Sequence, residues 1–438
     1  MNAADIAPIR PEAQTQSSAD LFLIFVGANV VATTFQVGAS LASSFSLRAS
    51  MLLIGVGSVA GAALVAALAP IGSRLRVPSV IAARPALGIQ GAGVVAALLY
   101  GSNFAWIALN NVIAASAMSR VAGTTAWLGT TGSQTLWAIG LGILAAVVVW
   151  RGPSAVARAD RIAVPLLAAV AIVLTIACVR AAGNLGPAPV PTMSWLRGLD
   201  VVIGYQVSWI LMFADYSRYT RSPRGSAVAV FFGLAVTSIW MMPLGAISAR
   251  AAGSTDPGTM LAAVGLGAAG AVLLAVATLT TNFVNIYMSA LAWKSLFPAA
   301  RDAAVVWTIG LIGTALSAIP GVWLERYTGF MVALGAVLVP VGGVLVAHYY
   351  CMSGISRVSG SDLDFRVRGA DLNNQDLTPL YDGSGPFRGV NVAGMLAWGA
   401  GAAVFFAAGS IGGTLPALVM SIAVYVGLRR IVGRGEQP

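Results

Sequence analysis

The chain has 438 residues, of which 58% are hydrophobic and 9% are charged. Because an ordinary soluble domain carries about 25% charged residues, this composition excludes a water-soluble enzyme and indicates a polytopic membrane protein, whose long apolar runs favour an all-α fold over a porin-type barrel. The formal net charge is +10, but no basic cluster is interleaved with aromatic residues, so we do not expect a nucleic-acid partner.

Twelve apolar segments are long enough to cross a lipid bilayer as helices, which takes roughly 20 residues each. They run over 20–43, 51–72, 89–118, 134–150, 162–181, 198–217, 227–248, 261–292, 304–319, 328–351, 389–409 and 411–428. Residues 1–19 are polar and lack a cleavable apolar leader, so we expect a cytosolic tail there. We also expect a cytosolic loop at 352–388, the longest polar stretch, and a cytosolic C-terminal tail at 429–438.

Twelve spans place both termini on one side of the membrane. With the N-terminus inside, the inner segments hold nineteen of the 25 basic residues and the outer segments hold six. Cytoplasmic loops of membrane proteins carry an excess of Lys and Arg. This distribution predicts a multi-pass protein of the plasma (inner) membrane with both termini in the cytoplasm.

Two spans combine a glycine with an amide side chain in their interior, at 27–29 in span 1 and at 204–206 in span 6. Interrupted helices at mid-membrane mark binding sites in transporters. The two interruptions lie five spans apart. Because five is an odd number, a duplicated second half of five spans would enter the membrane from the face opposite to the first half. We therefore expect two inverted five-helix repeats, at 20–181 and 198–351, followed by helices 11 and 12 at 389–428. The alternative is that the glycines are incidental, because the chain has 50 of them.

Span 3 presents two amides and an aromatic ring on one helical face. Asn103, Trp106 and Asn110 are spaced i, i+3 and i+7, as residues on one face of a helix are. Such a face can stack a flat ring and hydrogen-bond its edges. The alternative for each Asn is an interhelical hydrogen bond, since an amide in hydrocarbon needs a partner.

Span 8 contains a dense polar patch of Thr280, Thr281, Asn282 and Asn285, with Ala277 three residues before it. Neighbouring hydroxyls and freed carbonyls are hard oxygen ligands that suit a small dehydrated cation. The alternative for each Thr is a hydrogen bond to its own i−4 carbonyl. Ionisable residues deep in the spans are nearly absent, which argues against a proton relay and against a membrane-embedded enzyme.

Several segments resemble the nucleobase:cation symporter-1 family, in the branch of cytosine permeases and hydroxymethylpyrimidine (thiamine-precursor) carriers. They are FADYSRYTR at 213–221, TTNFVNIY at 280–287 and VPVGGVLVAHYY at 339–350, in the expected order. The resemblance implies a leucine-transporter-type fold with ten spans in two inverted halves plus two more. It also implies a flat heterocycle clamped by aromatics of spans 3 and 6.

The resemblance, together with the two interruptions, gives a candidate site. The expected substrate-binding residues are Asn29, Asn103, Trp106, Asn110, Tyr205, Gln206, Asn282 and Asn285. The expected sodium ligands are Ala28, Val31, Ala277, Thr280 and Thr281. One departure is His348, where relatives often have an aspartate.

These expectations point to a secondary active transporter, not an enzyme. It would take up a planar nitrogen heterocycle such as cytosine, a purine or a related pyrimidine, coupled to sodium or to protons. Apart from the coupling cation, no cofactor is expected. A hydroxymethylpyrimidine carrier and a hydantoin or allantoin carrier are alternatives, and a non-transporting membrane receptor is the alternative from a different class. The sequence leaves the oligomeric state open.

Overall fold

A computed structural model describes residues 6–122, 129–183, 185–297, 299–352 and 377–435. Within these ranges the chain is helical, as the sequence predicts. The helices are α1 (Ser18–Asn29), α2 (Ala32–Ala42), α3 (Leu47–Leu75), α4 (Ser79–Ala82), α5 (Arg84–Ala122), α6 (Gly129–Trp150), α7 (Pro153–Ala181), α8 (Trp195–Val207), α9 (Pro223–Ala252), α10 (Pro257–Ala263), α11 (Gly267–Leu296), α12 (Asp302–Leu316), α13 (Pro320–Glu325), α14 (Tyr327–Val346), α15 (Val392–Ala408) and α16 (Thr414–Gly435). Most of the predicted loop 352–388 lies outside the described residues.

All twelve predicted spans overlap these helices. Seven helices of the described chain are long and apolar enough to cross a membrane, and the bent pair α1–α2 adds an eighth. Helices α12, α15 and the second part of α7 are shorter apolar helices, and α8 accounts for span 6. The predicted span at 261–292 is wrong at its start. Gly265 has φ 78°, a left-handed conformation that ends the short helix α10 before α11 begins.

The chain breaks helix geometry between α1 and α2, which meet at an angle of 57°. Val31 is extended there, with φ −137° and ψ 165°, so the interruption falls just after 27–29. The side chain of Thr34 donates to the carbonyl oxygen of Asn29 at 2.5 Å, and Tyr327 Oη donates to that of Thr33 at 2.7 Å. Hydroxyl groups thus satisfy two of the carbonyls near the break, which hydrocarbon would otherwise leave without partners.

The second predicted interruption, at 204–206, is wrong in its position. Helix α8 continues through these residues to Val207 and is followed by a 3₁₀ segment at Ser208–Met212. Gly204 serves close packing instead, because an added Cβ would overlap the carbonyl oxygen of Met331 on α14. The span therefore loses α-helical geometry one turn later than its glycine indicates.

Two groups of helices face one another across the molecule. Helices α1, α2, α3, α8 and α9 pack together in one group, and α5, α6, α11 and α12 pack together in the other. Helices α1, α7, α9 and α12 begin at one end of the molecule, which we call the arginine-rich end because the sequence predicts an excess of basic residues there. The opposite end is the arginine-poor end. The candidate site lies between the two groups, beside the α1–α2 break.

The candidate substrate and cation site

A cavity of about 880 Å³ lies beside the α1–α2 break. It extends from Thr33 to the loops that join α6 to α7 and α11 to α12, at the arginine-rich end. Its wall is mainly apolar. The predicted site residues that line it are Ala28, Val31, Trp106, Tyr205, Thr280, Thr281 and Asn285. A mostly apolar cavity with a few convergent polar groups is the usual form of a small-molecule site.

Three aromatic rings meet at the deep end of the cavity. The ring centroids of Trp106 and Tyr205 are 5.8 Å apart at an interplanar angle of 82°, and those of Trp106 and Phe330 are 5.3 Å apart at 71°. The Tyr205 hydroxyl lies 2.5 Å from Thr34 Oγ1, so the ring is tied to the start of α2. The aromatic pair expected from spans 3 and 6 is therefore brought together at the break.

Asn285 is the predicted amide that reaches the cavity wall. It is buried, and its Nδ2 has no hydrogen-bond partner among the described residues. It lies one helical turn beyond Thr281 on α11, so a ligand at this depth can contact both residues. An unsatisfied buried donor costs roughly 1–3 kcal/mol, which a ligand acceptor would recover.

Asn29 and Gln206 are not brought to the cavity. Asn29 Nδ2 donates to Thr237 Oγ1 at 2.7 Å and to Ser238 Oγ at 2.8 Å, on the far side of α1. Gln206 Nε2 donates to the same Ser238 Oγ at 3.0 Å. Both amides join their helices to α9, so the structure places them in helix packing and not in the substrate site.

Asn110 and Asn282 form a bridge between α5 and α11. Asn110 Nδ2 donates to Asn282 Oδ1 at 3.4 Å, and Asn282 Nδ2 donates to Asn111 Oδ1 at 2.8 Å. Thr278 Oγ1 donates to the Asn110 carbonyl at 2.9 Å. Neither predicted amide lines the cavity, and the interhelical alternative describes both.

Asn103 lies between the two helices that this bridge joins. Its side chain is fully buried, and both of its polar atoms lack a partner in the part of the chain that the structure describes. The contacts Tyr100–Trp293 and Asn110–Asn282 fix the antiparallel register of α5 and α11. That register places Asn103 opposite the buried Ser289, one turn from Asn285. Neither Asn103 nor Ser289 lines the main cavity.

The predicted cation ligands of α11 converge on one carbonyl group. Thr280 Oγ1 donates to the Ala277 oxygen at 3.0 Å, and Thr281 Oγ1 donates to it at 2.7 Å. This is the back-bonding alternative for Thr281, but a donating hydroxyl keeps lone pairs for a cation. Ala28 and Val31 line the same cavity from the break. Four of the five predicted ligands thus line one cavity, and the fifth, Ala277, accepts hydrogen bonds from two of them.

Several cavity residues were not predicted. Ser208 and Trp209 follow Tyr205 at i+3 and i+4, a helical spacing that marks them as neighbours on one face. Tyr216 and Tyr287 also line the cavity. Phe330 contacts Trp106 from α14, and no pattern in span 10 indicates this contact.

At the arginine-poor end, Asp256 joins the α9–α10 connection to α5. Its carboxylate accepts from Ser116 Oγ at 2.5 Å and from Arg120 Nε at 3.0 Å, and it caps α10 through Thr259 N at 2.8 Å. Burial raises the pKa of this carboxyl, but the hydrogen bonds from Ser116 and Thr259 and the charge of Arg120 outweigh it, so the pKa lies below its ordinary value. The group is therefore ionised at neutral pH.

A protein family described as permeases for cytosine/purines, uracil, thiamine and allantoin matches residues 8–428. The cytosine permease of Escherichia coli strain K12 is 23% identical over 344 residues, which are 77% of this chain and 79% of that protein. The purine-uracil permease NCS1 of Arabidopsis thaliana is 23% identical over 445 residues, covering 91% of this chain and 69% of that protein.

The fold is shared with solved transporters. An inward-facing conformation of Mhp1 matches with a TM-score of 0.81 at 18% identity, over 99% of this chain and 94% of Mhp1. A closed conformation of Mhp1, a nucleobase-cation-symport-1 family transporter with bromovinylhydantoin bound, matches with a TM-score of 0.79 at 18% identity, over 98% of this chain and 96% of Mhp1. MhsT in complex with L-phenylalanine matches with a TM-score of 0.57 at 14% identity, over 94% of this chain and 97% of MhsT.

The predicted leucine-transporter-type fold is confirmed by these likenesses, and so is the resemblance to the nucleobase:cation symporter-1 family. The chain belongs to the permease family for cytosine/purines, uracil, thiamine and allantoin, and it is a membrane transporter and not an enzyme.

Proposed function

We propose that the protein takes up a neutral planar nitrogen heterocycle, such as cytosine, a purine or a related pyrimidine, by sodium-coupled symport. The observation that supports this most is the cavity at the helix break, where Trp106, Tyr205 and Asn285 lie within one space. One of the two rings can provide flat apolar contact and the other an edge contact, and Asn285 provides a donor and an acceptor for the edge of a heterocycle. Asn and Gln amides recognise the edge of adenine in the same way.

Sodium is the proposed coupling ion because the break and α11 offer oxygens without charge. Carbonyl groups of Ala28, Val31 and Ala277 and the hydroxyls of Thr280 and Thr281 would provide five ligands. An unwound transmembrane helix with free carbonyls is a recurrent cation site in secondary transporters. Ion binding would join α1 to α11, and the same two helices wall the substrate cavity. Coupling would then be a higher affinity for the substrate in the ion-bound conformation.

The proposed location is the plasma (inner) membrane, with both termini in the cytoplasm, as the arginine distribution indicates. The cavity then extends toward the cytoplasm. Domain boundaries at the two five-helix repeats, and the cytosolic position of the loop 352–388, belong to the same proposal.

The substrate is tested by uptake of radiolabelled cytosine, adenine, uracil, hydroxymethylpyrimidine, allantoin and a hydantoin into proteoliposomes. We expect saturable accumulation of a pyrimidine or purine base when sodium is higher outside. Preferential uptake of hydroxymethylpyrimidine, or of allantoin or a hydantoin, would support one of the other two carriers instead. Binding without accumulation of any compound would support a receptor.

The ion is tested in the same vesicles by imposing a sodium gradient or a proton gradient alone. Sodium-driven accumulation at equal pH is the expected result. Equal accumulation with potassium in place of sodium would overturn the sodium assignment.

A further inference from the structure

A second recess, outside the transport cavity, lies on the outer surface of the protein where α1 and α9 begin. It is a groove of about 420 Å³ between the first turns of the two helices. Its end nearest the helix starts is polar and is lined by Ser18, Ser222 and Arg224, whereas its remaining length is lined by apolar side chains, including Phe22, Val228 and Phe232. We call this surface the α1–α9 groove.

The apolar part of the groove faces outward. Val228 and Phe232 are 50% and 49% exposed, and Phe232 follows Arg224 by eight residues on α9. At 1.5 Å per residue the two side chains are separated by about 12 Å along the helix axis. A ligand that fills the groove must therefore be polar at one end and apolar over a length comparable to part of an acyl chain.

The charge at the polar end is positive. Arg224 lines the groove, and Arg221 precedes the lining residue Ser222 in the chain. Both arginines are exposed, and within the described ranges neither forms an ion pair. Asp20 is the nearest acid along α1, but its carboxylate accepts hydrogen bonds from Ser17 N and Ser17 Oγ at 2.9 and 2.7 Å and does not line the groove. The two guanidinium groups are thus available to an anionic headgroup.

We propose that the α1–α9 groove binds an anionic phospholipid of the leaflet at the arginine-rich end. Its phosphate lies against Arg224, Arg221 and the Ser18 hydroxyl, and one acyl chain lies along Phe22 and Phe232. Basic pockets between transmembrane helices are known to recognise acidic lipid headgroups.

The lipid would act on the helix that walls the transport cavity. Phe22 lies in the groove, whereas the next two residues, Leu23 and Ile24, line the cavity on the other face of α1. Close contacts join α1 to α9 in the wall of the groove, since a Cβ on Gly225 would overlap Ser18 Oγ. A bound lipid adds contacts to both helices and so favours conformations in which α1 stays against α9.

The experiment measures lipid retention by the purified, delipidated full-length chain. Phosphatidylglycerol or phosphatidylcholine is added in detergent, and bound lipid is counted by native mass spectrometry. We expect phosphatidylglycerol to bind more tightly than phosphatidylcholine. R224Q should weaken its binding about fivefold and R221Q/R224Q about thirtyfold, because each Arg near anionic headgroups contributes roughly a fivefold increase in affinity. The matched control is R48Q/R326Q, which removes two exposed arginines at the arginine-poor end and should leave binding unchanged.

Two further measurements distinguish binding of a whole lipid from binding of its headgroup alone. F232A should weaken retention of phosphatidylglycerol, but soluble glycerol phosphate should not displace the lipid, because it lacks acyl chains. Equal binding of both lipids, or an equal loss with R48Q/R326Q, would overturn the proposal, and displacement by glycerol phosphate would indicate a free-phosphate site. Lipid retention is measured without substrate, so this outcome is separate from that of the transport assays.

Discussion

The indole of Trp106 meets the phenol ring of Tyr205 edge to face, with centroids 5.8 Å apart and ring planes at 82°. Two perpendicular rings cannot both lie flat against one planar substrate. In this conformation a heterocycle can stack on one of the rings, while the edge of the other contacts it. A parallel sandwich requires one ring to rotate by most of a right angle, and the hydrogen bond of Tyr205 to Thr34 restrains that ring more than the indole.

Replacing Trp106 therefore removes the movable stacking surface. We expect W106A to reduce uptake at least about fivefold, since aromatic stacking on a base contributes about 1–3 kcal/mol, and W106F to keep part of it. Initial rates in proteoliposomes provide the measurement. W240A is the control, because Trp240 is hydrogen-bonded to Thr175 and lies away from the cavity. Undiminished uptake by W106A would exclude the stacking role.

Thr281 tests the cation site. T281A removes a hydroxyl oxygen beside the Ala277 carbonyl, so we expect a higher sodium concentration for half-maximal uptake and little change in the ranking of competing bases. The control is T314A, since Thr314 makes the same type of bond, to Gly310 O at 2.6 Å, on α12 and away from the cavity. If T281A and T314A have the same sodium dependence, Thr281 is not a ligand.

Asn282 and Asn285 are three residues apart on α11 and should respond differently. N282A breaks the bridge to Asn111 and leaves a buried amide without its partner, which costs about 1–3 kcal/mol of stability. We expect a lower melting temperature with the base preference unchanged. N285A should change the preference among bases with a smaller effect on melting. A changed base preference in N282A, together with a lower melting temperature but an unchanged preference in N285A, would contradict this assignment of the two residues.

Asp256 holds the α9–α10 connection against α5 at the arginine-poor end. D256N weakens charge-assisted hydrogen bonds, so we expect the cavity to open to that side more often. A cysteine introduced at Thr33 in a C178S/C351S background should then react several-fold faster with an impermeant maleimide added from that side. D382N, a substitution of an exposed acid elsewhere, is the control. Equal labelling in both variants would rule out that the contacts of Asp256 with α5 act as a latch on this side of the cavity.

The pH dependence of this latch follows from the lowered pKa of Asp256. A carboxyl whose pKa is lower in the folded protein stabilises the structure above its ordinary pKa of 3.8, and that contribution is lost as the pH falls through the lowered value. The rate of maleimide labelling at a cysteine rises with pH in every variant, because the thiolate is the reacting form. The ratio of the labelling rate at the cysteine in position 33 with D256N to the rate without it should therefore stay constant between pH 5 and pH 8. A latch that opens within that range would require a different titrating group.

The sequence predicted the fold well because hydrophobic spans, their number and their arginine asymmetry are properties of composition along the chain. The helical spacing of Asn103, Trp106 and Asn110 indicated Trp106 as a stacking residue. Tyr205 and the residues beside the break were predicted from the resemblance to the symporter family together with the glycine–amide patterns of spans 1 and 6. The sequence could not show where amides point. Asn29 and Gln206 occupy positions next to the two breaks, yet their side chains turn to α9, where Ser238 accepts from both.

Gly204 shows the same limit for backbone positions. A glycine in a membrane helix can permit a break or a close approach between helices, and the sequence does not distinguish them. Here the close approach to Met331 determines its role, and the helix ends one turn later. The partner residue belongs to α14, so the reason for this glycine lies more than a hundred positions away.

The use of amides to join helices limits how this transporter can acquire a new substrate. Asn29, Asn110, Gln206 and Asn282 each hold one helix to another, so changing any of them disturbs the scaffold before it alters recognition. Within the described residues, the side chains of Asn285 and Trp106 form no such hydrogen bond between helices. Natural or laboratory selection for a different heterocycle should therefore accumulate its first changes at these few cavity positions, while the interhelical amides stay constant.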